Sequence, residues 1–298
     1  MKDVLIAAMP GEEAPAKRLA QAMGARADAI RIHEFPDGEN LVTAPAPTPC
    51  TAVYCSLDHP DPKFLPLVFA ASALRDQGAR EIILVTPYLG YMRQDKAFHA
   101  GEAVSQKIFC RLLSDAFDKT LTIDPHLHRT KSLDEVFGAG RARAASAAGL
   151  LADMIGAGAK GAPLLVVGPD EESAQWTQAV ARRRGADWVV MTKTRAGDRQ
   201  VSVMLPESAE VAGKRVCLVD DIASSGATLG EAAKLLLARG ASSVDAFVVH
   251  ALMNDAQLAA LAEAGIRRIE STDAVRHKTN TGAVAPLLAH ELKAMLGE

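Results

Sequence analysis

The chain has 298 residues, 49% of them apolar, and its 33 Lys and Arg face 36 Asp and Glu for a formal charge of −3. That is enough apolar material for one or two domains with sizeable cores. The near balance of charge, without a basic block or Arg/aromatic interleaving, excludes a nucleic-acid surface and points to a small-molecule partner.

Along the chain, short apolar runs rich in β-branched residues alternate with segments of helical period. The runs at 3–7, 51–56, 81–87, 119–124, 163–170, 187–193, 214–221 and 243–250 read as strands. Between them, helices are expected over 66–76, 102–115, 173–184, 228–239 and 256–264. This alternation predicts an α/β fold of mostly parallel sheets flanked by helices, with ligands at the carboxyl ends of the strands. The run Val4–Met9 is too short for a secretory signal and lacks a basic flank, and no stretch approaches about 18 apolar residues. A cytoplasmic protein without a membrane span is expected.

Two segments look alike. ALRDQGAREIILVTP from Ala73 and LLARGASSVDAFVVH from Leu236 each end a helix, turn at Gly-Ala and enter a strand, a little over half the chain apart. Such spacing predicts a duplicated domain, with 1–142 as the first copy, 143–284 as the second, and 285–298 as a C-terminal helix returning to the first. Cys50, Cys55, Cys110 and Cys217 lack metal-type spacing and read as small buried hydrophobes in a reducing compartment.

Asp220 and Asp221 close the apolar run VCLV, and Ala223–Thr228 (ASSGAT) follows at the start of a helix. Small residues there let backbone N–H groups converge on an anion such as phosphate. Carboxylates aimed at a phosphate would repel it, so this pair is better suited to accept hydrogen bonds from vicinal hydroxyls of a sugar attached to it. An ordinary cap at Ser225 or Thr228 would explain the hydroxyls but not two acids closing a strand. The glycines of Gly156–Gly161 follow a helix and precede a strand, the reverse of a dinucleotide-binding turn, and no Walker sequence is present.

The stretch VCLVDDIASSGAT resembles the phosphoribosyl-pyrophosphate loop of type I phosphoribosyltransferases and of ribose-phosphate diphosphokinases. FPDGEN from Phe35, TPYLGYMRQDKAF from Thr86, IDPHLH from Ile123, VVGPDE from Val166 and MTKTRAGDRQV from Met191 follow the order seen in the diphosphokinases. The resemblance runs from about Phe35 to VAPLLAHEL, Val284–Leu292, and implies two phosphoribosyltransferase-type domains. It also implies a Mg²⁺-dependent enzyme that takes ATP and ribose 5-phosphate and works as a homo-oligomer, at least a dimer.

By resemblance, Phe35, Asp37 and Glu39 contact adenine across a subunit interface, and Arg93, Gln94 and Asp95 contact the ATP phosphates. His126 and Asp170 become metal ligands, and Lys193 and Arg195 the basic pair of the catalytic loop. Asp220, Asp221, Ser224, Ser225, Gly226, Ala227 and Thr228 become the ribose 5-phosphate site. Read without the resemblance, FPDGE is a turn, Arg93 a residue suited to forked phosphate contacts, and Lys193 and Arg195 a charged loop. Magnesium prefers oxygen ligands, so His126 rests on the resemblance alone. His128 could pair with His126 on zinc, but no further ligands stand at suitable spacing.

EESAQW after the Pro-Asp pair, SSGAT in the phosphate loop and HAGEAVSQK after RQDKAF resemble the shorter archaeal-type members, and count against an ADP regulatory site and a hexamer. Two rivals remain. A phosphoribosyltransferase would need neither RQD nor FPDGE, and a non-catalytic regulatory subunit would not need Lys193, Arg195, His126 and Asp220 together.

Overall fold

The computed structural model describes residues 3–156, 163–196 and 200–297, and only the backbone of 193–196 and 200–202. The chain divides into two compact units, 1–145 with 284–298, and 146–283. Most of the Gly156–Gly161 stretch lies outside the described residues.

The first unit begins β1 (Val4–Ala8), α1 (Glu13–Met23), β2 (Arg26–Ala29), then the hairpin β3 (Arg31–Glu34) and β4 (Asn40–Thr43). It continues β5 (Cys50–Tyr54), α2 (Pro60–Asp76), β6 (Glu81–Val85), α3 (Ser105–Ala116), β7 (Lys119–Ile123), α4 (Asp134–Phe137) and β8 (Ala142–Ala145). In the second unit α5 (Ala148–Ile155), β9 (Leu164–Gly168), α6 (Ala174–Arg184) and β10 (Asp187–Val190) precede the hairpin β11 (Thr192–Ala196) and β12 (Gln200–Met204). Then come β13 (Arg215–Ala223), α7 (Ala227–Ala238), β14 (Ser243–Ala251), α8 (Asp255–Glu263), β15 (Ile266–Thr272) and β16 (Asn280–Gly282). The last helix, α9 (Ala285–Met295), belongs to the first unit.

Each unit is built on a six-stranded sheet, in the orders β2-β1-β5-β6-β7-β8 and β10-β9-β13-β14-β15-β16. Every pairing within them is parallel. The two orders superimpose strand for strand, and a separate antiparallel hairpin, β3–β4 or β11–β12, falls at the same point of each. The paired Gly-Ala turns also match: the Ala79 N–H donates to the Leu74 carbonyl and the Ala241 N–H to the Leu236 carbonyl, both at 3.0 Å.

Central strands read as unbroken apolar runs because helices cover both faces of a parallel sheet. Leu5, Ile6 and Ala7 of β1, and Val216 through Val219 of β13, are fully buried. Burying a Val or Leu side chain stabilises by about 1.5–3 kcal/mol, so a charge inside these runs would unpick a layer of core. All four cysteines are buried, and burial pushes the thiols of Cys55, Cys110 and Cys217 up to about 12. They are packing residues.

Two helix starts differ from expectation. α2 begins at Pro60, not Pro66: proline fits the first turn, where no intrahelical donor is needed, and Pro66 lies inside the helix. α3 begins at Ser105, because the Glu102 carboxylate accepts from the N–H groups of Phe98 at 2.7 Å and His99 at 3.1 Å, which holds that stretch as a turn. Among the described residues no helix is long and apolar enough to cross a membrane.

Candidate active site

In the second unit, β13 runs past its apolar core and delivers Asp220 and Asp221 to the carboxyl edge of the sheet. Asp221 is buried, and its N–H donates to Asp220 Oδ1 at 3.0 Å. Burial, with the carboxylates of Asp221 and Asp170 nearby, holds the Asp220 carboxyl well above the usual range. Asp170 follows β9, the strand beside β13, and accepts from the Glu172 N–H at 3.2 Å as it caps a 3₁₀ turn. The carboxyls of Asp221 and Asp170 thus act on Asp220 at the carboxyl ends of two neighbouring strands. Such a site is suited to hydrogen-bond donors or a cation arriving with a ligand.

Ser224 to Thr228 make the turn from β13 into α7. Gly226 is the N-cap at φ 77°, and a Cβ there would come within 2.8 Å of the Leu261 side chain. Only glycine satisfies both the left-handed backbone and that approach. The Ala227 N–H donates to Ser225 Oγ at 3.3 Å, so part of the turn is held by its own side chain. The helix N-terminus behind it favours an anion.

In the first unit, Phe35, Asp37 and Glu39 form the tip between β3 and β4. The Phe35 N–H donates to the Glu39 carbonyl at 2.7 Å and the Gly38 N–H to the Phe35 carbonyl at 2.9 Å, so the expected turn is present. Phe35 is 41% exposed and stands edge-on to His33.

The non-glycine residues with positive φ among those described follow successive strands of this sheet: His59 (48°) after β5, Tyr91 (64°) after β6 and Asp124 (35°) after β7. Such conformations cost of order 1–3 kcal/mol and gather where the chain must hold an unusual course. Gly90, before Tyr91, would put a Cβ within 2.7 Å of the Leu57 carbonyl oxygen, which presses this turn against the one entering α2. The Tyr91 ring lies 4.9 Å from that of Phe109, and its hydroxyl donates to Asp61, which pushes the phenol up. Arg93 follows, exposed, and then Gln94, half-buried. Asp95 is buried and committed elsewhere: its carboxylate accepts from Arg129 Nη1 at 2.9 Å and from the Arg129 N–H at 3.1 Å. His126 lies in the turn that follows Asp124.

Residues 4–116 match the N-terminal domain of ribose phosphate pyrophosphokinase, and residues 135–278 the phosphoribosyl transferase domain. A ribose-phosphate pyrophosphokinase of Methanopyrus kandleri is 32% identical over 94% of this chain and 96% of its own length. Ribose-phosphate pyrophosphokinase 2 of Archaeoglobus fulgidus is 31% identical over 95% and 98%. The chain belongs to the ribose-phosphate pyrophosphokinase family. The fold agrees: a phosphoribosylpyrophosphate synthetase from Mycobacterium smegmatis superimposes with a TM-score of 0.82 over 99% of both chains, at 24% identity.

One feature of this family member departs from the sequence expectation. Lys193 and Arg195, expected in a loop, have their backbone on β11, opposite Val203 and Val201 of β12; their side chains lie outside the described residues. The two units also differ at equivalent turns. The first-unit counterpart of the Ser224–Thr228 turn is Ser56–His59, where Lys63 Nζ donates to the Ser56 carbonyl and to Asp58 Oδ1, both at 2.7 Å. Glu12, its carboxyl pushed up by burial, accepts from the Ser56 N–H at 3.1 Å. That turn is bonded by the side chains of Lys63 and Glu12, where the second-unit turn is built of small residues and is bonded through Ser225. Gln106 and Arg129, which organise the Arg93 segment, had no signal in the sequence: a glutamine in the first turn of an amphipathic helix reads as surface.

Proposed function

We propose that the protein transfers the diphosphoryl group of ATP to the 1-hydroxyl of ribose 5-phosphate, giving 5-phosphoribosyl 1-diphosphate and AMP for nucleotide biosynthesis. The observation that carries this reading is the acid pair near the end of β13, before the glycine-capped start of α7. Asp220 and Asp221 accept from the ribose hydroxyls, and Ser224, Ser225, Gly226, Ala227 and Thr228 hold the 5-phosphate. The 1-hydroxyl oxygen attacks the β-phosphorus, the bond from that phosphorus to the α–β bridging oxygen breaks, AMP leaves with that oxygen, and the hydroxyl proton is released. Arg93 and Gln94 hold the ATP phosphates, with Asp95 behind them as the anchor of Arg129. Lys193 and Arg195 act on charge spread over the transferring oxygens.

Among the described residues no three His, Cys, Asp or Glu side chains gather as a metal cage. Asp170 offers the oxygen ligand that Mg²⁺ prefers, and that ion keeps waters and substrate phosphates and takes only one or two protein ligands. Asp170, and by family resemblance His126, would hold it. When bound it neutralises phosphate charge.

An assay for AMP tests the reading: release should require ATP, ribose 5-phosphate and Mg²⁺ together. AMP formed without ribose 5-phosphate, or none formed with all three, would overturn it. The exposed tip at Phe35, Asp37 and Glu39 is best explained by contact with a nucleotide held in a neighbouring copy. The active species is therefore expected to be at least a homodimer in light scattering, and a fully active monomer would refute the shared site.

A further inference from the structure

Gln106 is fully buried in the first turn of α3, where a polar side chain needs a reason to be. Its Oε1 accepts from Thr130 Oγ1 at 2.8 Å, and its Nε2 donates to the Met92 carbonyl at 3.4 Å. Its backbone N–H donates to the Gln94 carbonyl at 3.2 Å. One residue therefore binds the segment carrying Arg93 and Gln94 on one side and the segment carrying His126 on the other. A second tie runs parallel to it: Asp95, whose side chain is 2% exposed, holds Arg129 through both side chain and backbone. These ties join residues 24 and 34 positions apart in sequence, across the carboxyl ends of β6 and β7.

We infer that Gln106, with Asp95–Arg129 beside it, is a positioning clamp that fixes the nucleotide-phosphate segment 92–95 against the metal-side segment 126–130. The inference rests on the functional reading above for what the two segments bind. Gln106 touches neither substrate; it sets the distance between the groups that do. Phosphate and metal contacts made by two separate loops would reinforce each other only while the loops keep register. Each loop also carries a residue with positive φ, Tyr91 and Asp124, so neither rests in a conformation its sequence favours by itself. A buried amide bonded through both its oxygen and its nitrogen suits this task, since it cannot turn to water when one partner drifts.

The test compares the parent with Gln106→Leu and Thr130→Val, using α,β-methylene ATP as an unreactive nucleotide. Calorimetry is run with Mg²⁺ and again in EDTA, and amide hydrogen exchange is followed over 92–95. With Mg²⁺, Gln106→Leu should bind the analogue about tenfold more weakly, a loss on the scale of one or two hydrogen bonds. In EDTA the loss should be smaller, so the enhancement by metal shrinks, while ribose 5-phosphate affinity stays within about twofold. Thr130→Val removes one hydroxyl and decides the matter alone should Gln106→Leu not fold. It should speed exchange at 92–95, although the changed residue is more than thirty positions away, and leave β9 and β13 unaffected. Metal enhancement and exchange at 92–95 both unchanged in a folded variant would overturn the clamp. A parent that binds no nucleotide would instead count against the functional reading, and the exchange measurement would then decide the clamp by itself.

Discussion

Replacing Lys193 by alanine is expected to lower turnover by roughly 10²–10³-fold while substrate binding changes little. In the transfer, negative charge spreads over the oxygens of a diphosphoryl group passing between two oxygens, and a preorganised ammonium is worth most at that moment. An interaction made chiefly in the transition state appears in kcat and scarcely in ground-state affinity. The backbone course of β11 sharpens this expectation, because a residue on a paired strand is held in register as a loop residue is not. Arg195 stands two residues along the same strand and, on the proposed reading, would serve the same phosphates, so the double substitution should depart from the sum of the single effects. Steady-state rates for Lys193→Ala within a few-fold of the parent, with an unchanged circular dichroism spectrum, would make this lysine an ordinary residue of the ribbon.

Asp220→Asn should act on function and stability in opposite directions. It removes one charged acceptor from the sugar hydroxyls, and loss of a hydrogen bond to a charged group costs about 1.5–3 kcal/mol, so ribose 5-phosphate should bind roughly 10- to 150-fold more weakly with nucleotide affinity nearly unchanged. The same change relieves an unfavourable charge. Burial, Asp221 and Asp170 raise the Asp220 carboxyl in the folded protein, so from the ordinary carboxylate range up to that raised value the folded state holds more proton than the unfolded state. Across this window the contribution of Asp220 to stability falls as pH rises, and above it the full penalty remains. The asparagine variant should therefore be more stable than the parent at neutral pH by about 0.5–2 kcal/mol, the usual yield when a strained active site is relaxed. It should also lose part of the decline of melting temperature with pH. Ribose hydroxyls donating to the Asp220 carboxylate favour its charged form, so sugar-phosphate binding by the parent should release a proton, detectable in buffers of different ionisation enthalpy. A variant no more stable than the parent at neutral pH, with sugar-phosphate affinity intact, would remove Asp220 from the site and from this account of its strain.

The eight apolar runs read from the sequence all became strands, because a strand covered on both faces must be apolar along its length and leaves a continuous signature. The duplication was legible for a related reason: the Gly-Ala turn at Gly78 and Gly240 is local chemistry, complete within one helix end and one strand start. The acid pair at Asp220 and Asp221 was legible too, since charges closing an apolar strand break a pattern. What escaped were short edge elements such as β2, β8 and β16, whose residues are too few and too polar to show a period. Tertiary structure alone decided that Asp95 faces Arg129, that Gln106 is buried between two loops, and that Ser56–His59 is closed by Lys63. It also decided the left-handed turns at His59, Tyr91 and Asp124. Each of these depends on partners distant in sequence, and a polar side chain or a strained backbone angle carries no periodicity by which its partner could be read in advance. Local patterns fix strands and turns through their own free energies, whereas the register between neighbouring loops is set only when the sheet brings them together.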